Sequence, residues 1–253
     1  MLQPKKYLFI FLSIIAIVFT MSFKPIPAKS RLFFRFENYV GNRRLSLDTA
    51  TYINELGQSY TITNFKYYIS NIKLTGTDGK TYSKDEGYYL VRQDDTSTWI
   101  AELDDVPAGS YSSISFMIGV DSLHNCSGAQ SGALDPINGM FWTWSTGYIF
   151  MKLEGKSPAS KQPGHIFEYH IGGYKVPTNF IRTASLTFSK EPMKINTGKA
   201  TSIYIKTDAS KILNGDNKID FSKMSSVTDF HNSDKIADNY KNMFSIIRLS
   251  NEW

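Results

Sequence analysis

The sequence predicts an all-β protein, namely an antiparallel β-sandwich with Greek-key-like connections, long loops and a short C-terminal helix. Three observations predict this fold. Apolar and polar residues alternate with a period of two in many short segments, turn signals separate those segments, and helical periods are few. The chain also lacks a glycine-rich junction between a strand and a helix, which favours a sandwich over an α/β fold.

The first predicted strand shows the alternation clearly. Leu32, Phe34 and Phe36 alternate with Arg35 and Glu37, which gives the strand one apolar and one polar face. The same pattern predicts strands over 67–74, 88–91, 113–120, 148–153, 167–171, 184–188 and 203–205. Residues typical of turns separate them at 77–80, 107–109, 196–198 and 214–216. Many short strands at this spacing are typical of a two-sheet sandwich.

One helix is predicted near the C-terminal end of the chain. Its apolar residues recur at helical spacing, namely Ile236, Tyr240 and Met243 or Phe244. Ser233 or Asp234 is the expected N-cap. No internal repeat, low-complexity tract or linker divides the chain, so residues 29–253 are expected to form one domain.

The net charge is concentrated in a segment outside this domain. The 253 residues contain 28 Lys and Arg against 23 Asp and Glu, a formal net charge of +5. Residues 1–28 contain Lys5, Lys6 and Lys24 and no acidic residue, so the remaining chain carries 25 basic and 23 acidic residues. This near-neutral balance disfavours nucleic acid as a main partner. An aromatic content of 14% rules out disorder for the bulk of the chain.

The same segment has the three-part layout of a secretory signal peptide. Its basic start is followed by seventeen mostly apolar residues at 7–23, and Pro25 and Pro27 end the apolar run. An uncleaved membrane anchor is the alternative, because about seventeen residues is the lower limit for a membrane span. No second apolar run of spanning length follows. We therefore expect a periplasmic or otherwise exported protein whose mature chain has no stable membrane span.

Cys126 is the single cysteine of the chain. It cannot form an intramolecular disulfide, and a CxxC zinc site is excluded. A catalytic Cys126 beside His124 is one interpretation, but side chains two residues apart seldom have the geometry of a nucleophile and its base. The segment 128–132 has the spacing G-x-x-S-G, which is not that of a nucleophile elbow. We therefore expect a binding protein and not an enzyme.

The histidines of the chain are His124, His165, His170 and His231. In the strand 167–171, alternation places His170 on the face opposite the apolar residues. Gly172 and Gly173 follow, and they would allow another group to approach the backbone closely. His170 is therefore either a metal ligand or a hydrogen-bonded histidine of the sheet. His165 follows Pro163 and Gly164 at a predicted turn and is expected to be exposed.

Two of the four tryptophans, Trp142 and Trp144, lie two residues apart in the segment 139–150. In a strand, both indoles would share one face. Such a pair is typical either of core packing or of an aromatic face that stacks on a ligand. The residues alone leave both interpretations open.

Four segments help to decide between core packing and a ligand-binding role for the two tryptophans, namely 119–125, 132–136, 140–148 and 167–173. Their sequences GVDSLHN, GALDP, MFWTWSTGY and FEYHIGG resemble the MbnP-like family of exported copper-binding proteins. The segments 67–74 and 236–240 are similar to the same family, so the resemblance covers nearly the whole chain after the signal segment. The combination of W-x-W and G-Y with a following Y-H-I-G-G strand is more specific than any one of its parts.

The resemblance implies an extracytoplasmic β-rich protein that binds copper, expected as Cu(I), and that is paired with a dihaem peroxidase of the MauG type. Such a peroxidase can oxidise a tryptophan to kynurenine, and Trp142 or Trp144 matches the family segment in which this oxidation is expected. His170 matches the histidine of the family's H-x-G strand and is the first candidate ligand. His124 lies in the motif loop and is the second candidate, and His231 is the third.

The chemistry of these residues agrees with copper. Neutral imidazoles suit copper, and Cu(I) accepts as few as two nitrogen ligands. A buried aromatic wall would exclude water and favour the reduced ion. The alternative function is a metal-free β-sandwich module that binds a glycan or a protein partner through Trp142 and Trp144, and it predicts that both indoles are exposed. An enzyme that depends on Cys126 is a third hypothesis, for which no substrate can be proposed.

Overall fold

The computed structural model describes residues 30–84, 87–142 and 147–252. Two of the sequence predictions fall outside these residues, namely the signal segment 1–28 and Trp144. Within the described part of the chain, no helix is long and apolar enough to cross a membrane.

The described residues form a β-sandwich with three short α-helices. The strands are β1 (Arg31–Val40), β2 (Arg43–Arg44), β3 (Tyr52–Ile53), β4 (Ser59–Gly76), β5 (Thr81–Ser83), β6 (Tyr88–Arg92), β7 (Ile100–Asp104), β8 (Gly109–Ile118), β9 (Phe141–Trp142), β10 (Gly147–Lys156), β11 (Ile166–Gly172), β12 (Tyr174–Lys175), β13 (Thr178–Asn179), β14 (Arg182–Thr187), β15 (Met193–Ile195), β16 (Ala200–Asp208), β17 (Ser226–Val227) and β18 (Phe244–Glu252). The helices are α1 (Ser122–Cys126), α2 (Ser210–Leu213) and α3 (Ser233–Tyr240). This architecture confirms the predicted all-β sandwich with a short C-terminal helix.

The smaller sheet has the strand order β18-β16-β1-β2, and β7 also pairs with β1. The alternation of β1 is realised as predicted, because Leu32, Phe34 and Phe36 are at most 1% exposed while Phe33 and Arg35 between them are partly exposed. Strand β1 pairs with β16 in parallel. Alternation alone does not predict this orientation, because side chains alternate with a period of two in parallel and antiparallel strands alike.

The larger sheet is built on the eighteen-residue strand β4 and has the order β14-β8-β4-β10-β11-β17. The first half of β4 pairs with β10, and the second half pairs with β8. The two neighbouring strands therefore diverge beside Tyr68, whose carbonyl oxygen accepts a hydrogen bond of 3.1 Å from the backbone N–H of Gly119. The chain between β8 and β10 leaves and re-enters the sheet at this opening.

The main hydrophobic core lies between the two sheets and is rich in aromatic rings. The ring of Phe36 packs edge-on against those of Tyr67, Phe116 and Phe244, with centroid separations of 6.2, 6.1 and 6.3 Å. The Tyr67 hydroxyl also donates a hydrogen bond of 2.9 Å to Oδ1 of Asn38, which links β4 to β1 across the sandwich. Burial of this apolar surface, with its polar atoms paired, stabilises the sandwich.

A second, smaller core lies where β8 and β10 diverge. We call it the outer core, and its buried members are Tyr68, Leu90, Val120, Leu134, Met140, Trp142, Tyr148, Ile149 and Phe150. Because Tyr67 faces the main core, its neighbour Tyr68 faces the opposite, outer side of the larger sheet. Gly119 permits this packing, since its φ is +125° and a Cβ there would lie 2.8 Å from the Phe150 ring.

Helix α3 agrees with the predicted C-terminal helix except at its ends. It begins at Ser233, and the preceding Asn232 is the N-cap residue, with a φ of 62°. Ile236 and Tyr240 are fully buried, as their spacing predicted. The helix ends at Tyr240, and Phe244 begins β18. The apolar pattern continues past the helix because the next residues enter the core from a strand.

Candidate functional site

Trp142 is a buried member of the outer core. It ends strand β9, pairs with Gly147 of β10 and is 7% exposed. Its indole lies edge-on to the ring of Phe230, with 5.8 Å between the centroids and an angle of 72° between the planes. A cavity of about 140 Å³ adjoins the indole, and its other lining residues are Gly147, Gly173, Tyr174, Lys175, Thr178 and Phe230.

The indole of Trp142 lies directly against the backbone of β11. A Cβ on Gly172 would lie 2.8 Å from Cζ3 of Trp142, closer than carbon atoms approach one another without a bond. Residues two apart in a strand point to the same face, so Gly172 shares its face with His170. The glycine that follows His170 by two residues therefore makes room for the predicted tryptophan on the histidine's own side of the sheet.

His170 lies on β11 opposite Lys152 of β10 and is held by a carboxylate. Its Nε2 lies 2.6 Å from Oε1 of Glu154, and the side-chain amide of Asn64 donates a 2.9 Å hydrogen bond to Oε2 of the same carboxylate. An ionised carboxylate only accepts hydrogen bonds, so Nε2 carries the proton, and in the neutral form of the ring Nδ1 has the lone pair. His170 is thus a hydrogen-bonded sheet histidine that still has one nitrogen able to bind a metal.

The electrostatics of Glu154 support this proton assignment. The hydrogen bond from His170 is the largest influence, and together with the Asn64 bond it lowers the pKa of Glu154 to about 2, although partial burial acts in the opposite direction. The carboxylate is therefore ionised at neutral pH. Hydrogen bonds of this kind between a histidine and a carboxylate commonly orient metal-binding imidazoles.

His231 is next in sequence to a residue that contacts the Trp142 indole. It directly follows Phe230, whose ring packs against that indole, and its side chain is exposed. The backbone N–H of His231 donates a 2.7 Å hydrogen bond to Oδ1 of Asp229. The preceding strand β17 pairs in parallel with β11, so the segment that carries His231 runs beside the strand that carries His170.

His124 lies in a different polar cluster, on helix α1. Its Nδ1 lies 2.7 Å from the hydroxyl oxygen of Tyr88 and 3.1 Å from Oδ1 of Asp121. The Tyr88 hydroxyl also donates a short hydrogen bond to Oδ2 of Asp121. The imidazole and phenol rings lie against each other, with 4.4 Å between their centroids. Three polar side chains therefore meet at one point beside the outer core.

Asp121 carries the negative charge of this cluster. Partial burial raises the pKa of its carboxyl, but hydrogen bonds from the Tyr88 hydroxyl and from the backbone N–H and ring of His124 outweigh burial and lower the pKa overall. The same carboxylate caps helix α1, because Oδ1 accepts the His124 N–H at 3.0 Å. Asp121 is therefore an ionised group with its position fixed by the helix.

The structure does not bring His124 and His170 together. Strands β4 and β10 lie between β6, which carries Tyr88, and β11, so the two sites are about three strand spacings, or about 14 Å, apart across the sheet. The pairing register places Arg92 level with His170, and Tyr88 lies four residues further along β6, about 13 Å away along the strand. The expected ligand set therefore separates into two places.

Neither place holds three conventional ligands. Among the residues that the structure describes, no group of three or more His, Cys, Asp and Glu side chains is positioned to hold a metal ion. His170 lies on the strand that packs against the Trp142 indole, and His231 follows Phe230, which lines the indole cavity. The cluster at α1 has one histidine, one aspartate and one tyrosine. Trp144, the other predicted tryptophan, lies outside the described residues.

Sequence reasoning missed Tyr88, Asp121 and Glu154. Asp121 had a readable signal, because an aspartate three residues before His124 is a common start of a helix. Glu154 lies sixteen residues from His170, and Tyr88 lies 36 residues from His124. Contacts at these separations depend on strand register, which alternation does not specify.

The remaining candidates have simpler surroundings. His165 is exposed at its turn, as predicted, and its Nδ1 lies 3.0 Å from the carbonyl oxygen of Ser160. Cys126 is also exposed, and its Sγ lies 3.5 Å from the hydroxyl of Tyr174. The imidazole of His124 contacts Tyr88 and Asp121, so the structure does not show the thiol–imidazole pair that a Cys126-dependent enzyme would need.

These features define a two-sheet β-sandwich with a cavity beside a buried indole. The family model described as MbnP matches residues 29–232, and the chain therefore belongs to the MbnP family. A solved structure of MbnP from Methylosinus trichosporium is similar, with 11% sequence identity, a TM-score of 0.49, and coverage of 89% of this chain and 99% of that one. No curated protein matches this chain.

Proposed function

We propose that this protein binds copper outside the cytoplasm, for copper acquisition or handling, at a site beside Trp142. Membership of the MbnP family supports a copper-related role. The observation that carries the site is the contact of Trp142 with Gly172, which sets the indole on the same strand face as His170. The predicted signal segment supports export to the periplasm.

The donor set at this site suits Cu(I). In the neutral form of His170, Nδ1 has the lone pair because Nε2 donates to Glu154, and His231 is the second imidazole candidate. Cu(I) accepts two neutral nitrogen ligands, so no third protein ligand is required. The rings of Trp142 and Phe230 supply an apolar wall that excludes water and favours the reduced ion.

Trp142 is the described candidate for oxidation to kynurenine. Two equivalents of peroxide, reduced to water, would cleave the Cγ–Cδ1 bond of the indole, and hydrolysis would then release Cδ1 as formate. A ketone and an aryl amine would remain next to the metal site. A dihaem peroxidase of the MauG type is the proposed partner for this step. The protein itself acts as a binder and not as an enzyme, and copper is its cargo.

The burial of Trp142 argues against the metal-free alternative. A tryptophan that stacks on a glycan or a protein partner must present its ring to solvent. The Trp142 side chain is 7% exposed and packs against Gly172 and Phe230. This indole therefore does not offer a stacking face, and we propose copper binding in preference to a glycan-binding or protein-binding module.

The test is the copper content of mature protein purified from its native host. We expect about one copper per chain by elemental analysis, its loss in His170→Ala, and an intact-mass shift of one tryptophan-to-kynurenine conversion within residues 139–152. His165→Ala is the matched control, because His165 is exposed and lies at a turn. Full copper retention in His170→Ala would overturn the site, and negligible copper in the unaltered protein would overturn the function.

A further inference from the structure

We propose that Tyr88, Asp121 and His124 form a second metal site, which binds Cu(II). This inference goes beyond the proposed Cu(I) site at Trp142, because it uses other residues, another oxidation state and another part of the sheet. It rests on one observation that the family relationship does not supply. A phenol, a carboxylate and an imidazole, which come from a strand and from a capped helix, meet with their donor atoms in mutual contact.

The spacing of the donor atoms fits one bound ion. The Tyr88 hydroxyl oxygen lies 2.7 Å from Nδ1 of His124, and this nitrogen lies 3.1 Å from Oδ1 of Asp121. Ligand atoms about 2.0 Å from a metal, at angles between 90° and the tetrahedral value, lie about 2.8 to 3.3 Å from one another. A metal ion can therefore replace the proton shared between Tyr88 and His124, provided that the Tyr88 hydroxyl and Oδ2 of Asp121, which are in closer contact, move apart.

The cluster is held in place before any ion binds. Asp121 is fixed by capping the N–H of His124 at 3.0 Å. Asn125, which is 1% exposed, holds the same helix by donating to the carbonyl oxygens of Val120 and Asp121 and by accepting the N–H of Tyr148 at 2.8 Å. Tyr88 begins strand β6 and packs against the outer core. Little conformational freedom is lost when ligands are preorganised in this way.

The donor chemistry selects Cu(II) over Cu(I). Two of the three donors are oxygen atoms, and a carboxylate with a phenolate would supply two negative charges to balance a divalent cation. Cu(II) favours mixed nitrogen and oxygen ligands and binds such sites more tightly than the other common divalent ions of the first row. Cu(I) favours soft sulfur ligands or imidazoles, and this cluster has no sulfur ligand and only one imidazole.

Solvent can reach this cluster. The side chain of His124 is 18% exposed and that of Asp121 is 25% exposed, so an ion can enter and water can complete its coordination. The His170 side chain at the Trp142 site is 16% exposed, so the two sites differ in their donor atoms and not in the exposure of these histidines. The two sites therefore suit the two oxidation states of one metal, with the oxygen-rich site taking the oxidised ion.

The test uses Cu(II) alone as the probe, added to mature protein with unmodified tryptophan. We expect a visible phenolate-to-Cu(II) charge-transfer band and an electron paramagnetic resonance signal with nitrogen coupling. Tyr88→Phe should remove the band and weaken Cu(II) binding at least tenfold. Tyr89→Phe is the matched control, because the hydroxyl of Tyr89 donates to the backbone carbonyl of Glu102 at 2.7 Å.

A second variant tests the contribution of the Asp121 charge to Cu(II) binding. Asp121→Asn keeps a helix-capping side chain but removes the negative charge, and it should also weaken Cu(II) binding at least tenfold while the circular dichroism spectrum stays unchanged. Absence of the band, or its persistence in Tyr88→Phe, would overturn the proposal. Displacement of the copper by equimolar Zn(II) would overturn its assignment to Cu(II).

The proposed Cu(I) site can fail independently of this one. His170→Ala should leave the charge-transfer band unchanged, and Tyr88→Phe should leave Cu(I) binding beside Trp142 unchanged. Loss of both activities in Tyr88→Phe, with the fold intact, would show that only one site exists and would overturn the inference of a second.

Discussion

At the scale of single residues, the candidate copper site depends on a glycine, which has no side chain. Gly172 has no Cβ, and this absence lets the indole of Trp142 reach the backbone of β11. His170, two residues earlier, has the opposite role, because its side chain is fixed by Glu154. Gly172 leaves space for the indole, and Glu154 orients the imidazole of His170. These two features place an aromatic ring and an imidazole on one strand face.

The first prediction concerns Gly172→Ala. The new methyl group would lie closest to the backbone carbonyl oxygen of Tyr148 and 2.8 Å from Cζ3 of Trp142, so both the strand pairing and the indole must shift. We expect a loss of about 1–3 kcal/mol in the free energy of unfolding, measured with urea, and weaker Cu(I) binding. Gly109→Ala is the matched control, because its Cβ would meet only Tyr111 at an ordinary 3.9 Å. Equal stability of the two variants would contradict this account of Gly172.

The second prediction concerns acid stability in the metal-free protein. The pKa of Glu154 in the folded state is about 2, below its ordinary value of 4.5, so its ionised form stabilises the fold above about pH 4.5. This contribution is lost as the pH falls from about 4.5 towards 2. Glu154→Gln should therefore lose less stability than the unaltered protein over this interval, measured as the melting temperature at each pH.

A second variant identifies the partner of Glu154. His170→Gln removes the hydrogen bond that is the largest cause of the lowered pKa, so it should flatten the same part of the pH profile. If the profile of His170→Gln matched that of the unaltered protein, the pairing of these two residues would not explain the acid response.

At the scale of elements, strand β4 organises the molecule. It pairs with β10 along its first half and with β8 along its second half, and the outer core fills the opening between those neighbours. Helix α1 lies beside this opening and is tied to β10 by Asn125, whose side-chain oxygen accepts the N–H of Tyr148. The helix is short, so its position depends on such contacts more than on its own hydrogen bonds.

The third prediction is that Asn125→Ala loosens the outer core. The substitution leaves the buried N–H of Tyr148 and the carbonyl oxygens of Val120 and Asp121 without the side chain that they bond, which should cost at least about 2 kcal/mol. Hydrogen exchange followed by mass spectrometry should show faster exchange in β9 and β10 than in β16. Ser127→Ala is the control, since Ser127 is exposed in the same segment and its hydroxyl donates to the carbonyl oxygen of Leu123 at 2.8 Å.

The strands also show which features of the fold could be predicted from the sequence and which could not. Alternation predicted β1, β11 and the burial of their apolar faces, because a strand with one buried face must alternate. It did not predict that β1 pairs with β16 in parallel, since both orientations have the same period. The resemblance to the MbnP-like family predicts Trp142 and His170 as site residues, and this stays a prediction, whereas the Glu154 and Tyr88 contacts required the register of the larger sheet.

At the scale of the whole molecule, the two cores have different relations to the proposed function. The main core between the sheets contains aromatic rings such as Phe36 and Phe116, and Phe230 of the Trp142 site packs against it. The outer core contains Trp142 and packs against Tyr88, so both candidate sites border it. Ligand binding is therefore expected to stabilise the outer core first and the whole fold through it.

The fourth prediction is that copper raises the thermal stability of the whole molecule. A ligand that binds only the folded state at a free concentration of 100 times its Kd adds about 2.7 kcal/mol to the free energy of unfolding. For a domain of this size, that gain corresponds to an increase of about 5–10 °C in the melting temperature. Calorimetry of protein with oxidised Trp142, loaded with Cu(I) without oxygen, should show this increase, and a Cu(I) chelator should reverse it.

The variants locate the source of this stabilisation. His170→Ala should remove the increase because it removes the proposed ligand, whereas His165→Ala should keep it because His165 is exposed at a turn. Hydrogen exchange should then show the largest protection in β9, β10 and β11, which surround Trp142. Protection confined to the main core, with β9 unchanged, would place the bound copper somewhere other than the indole cavity.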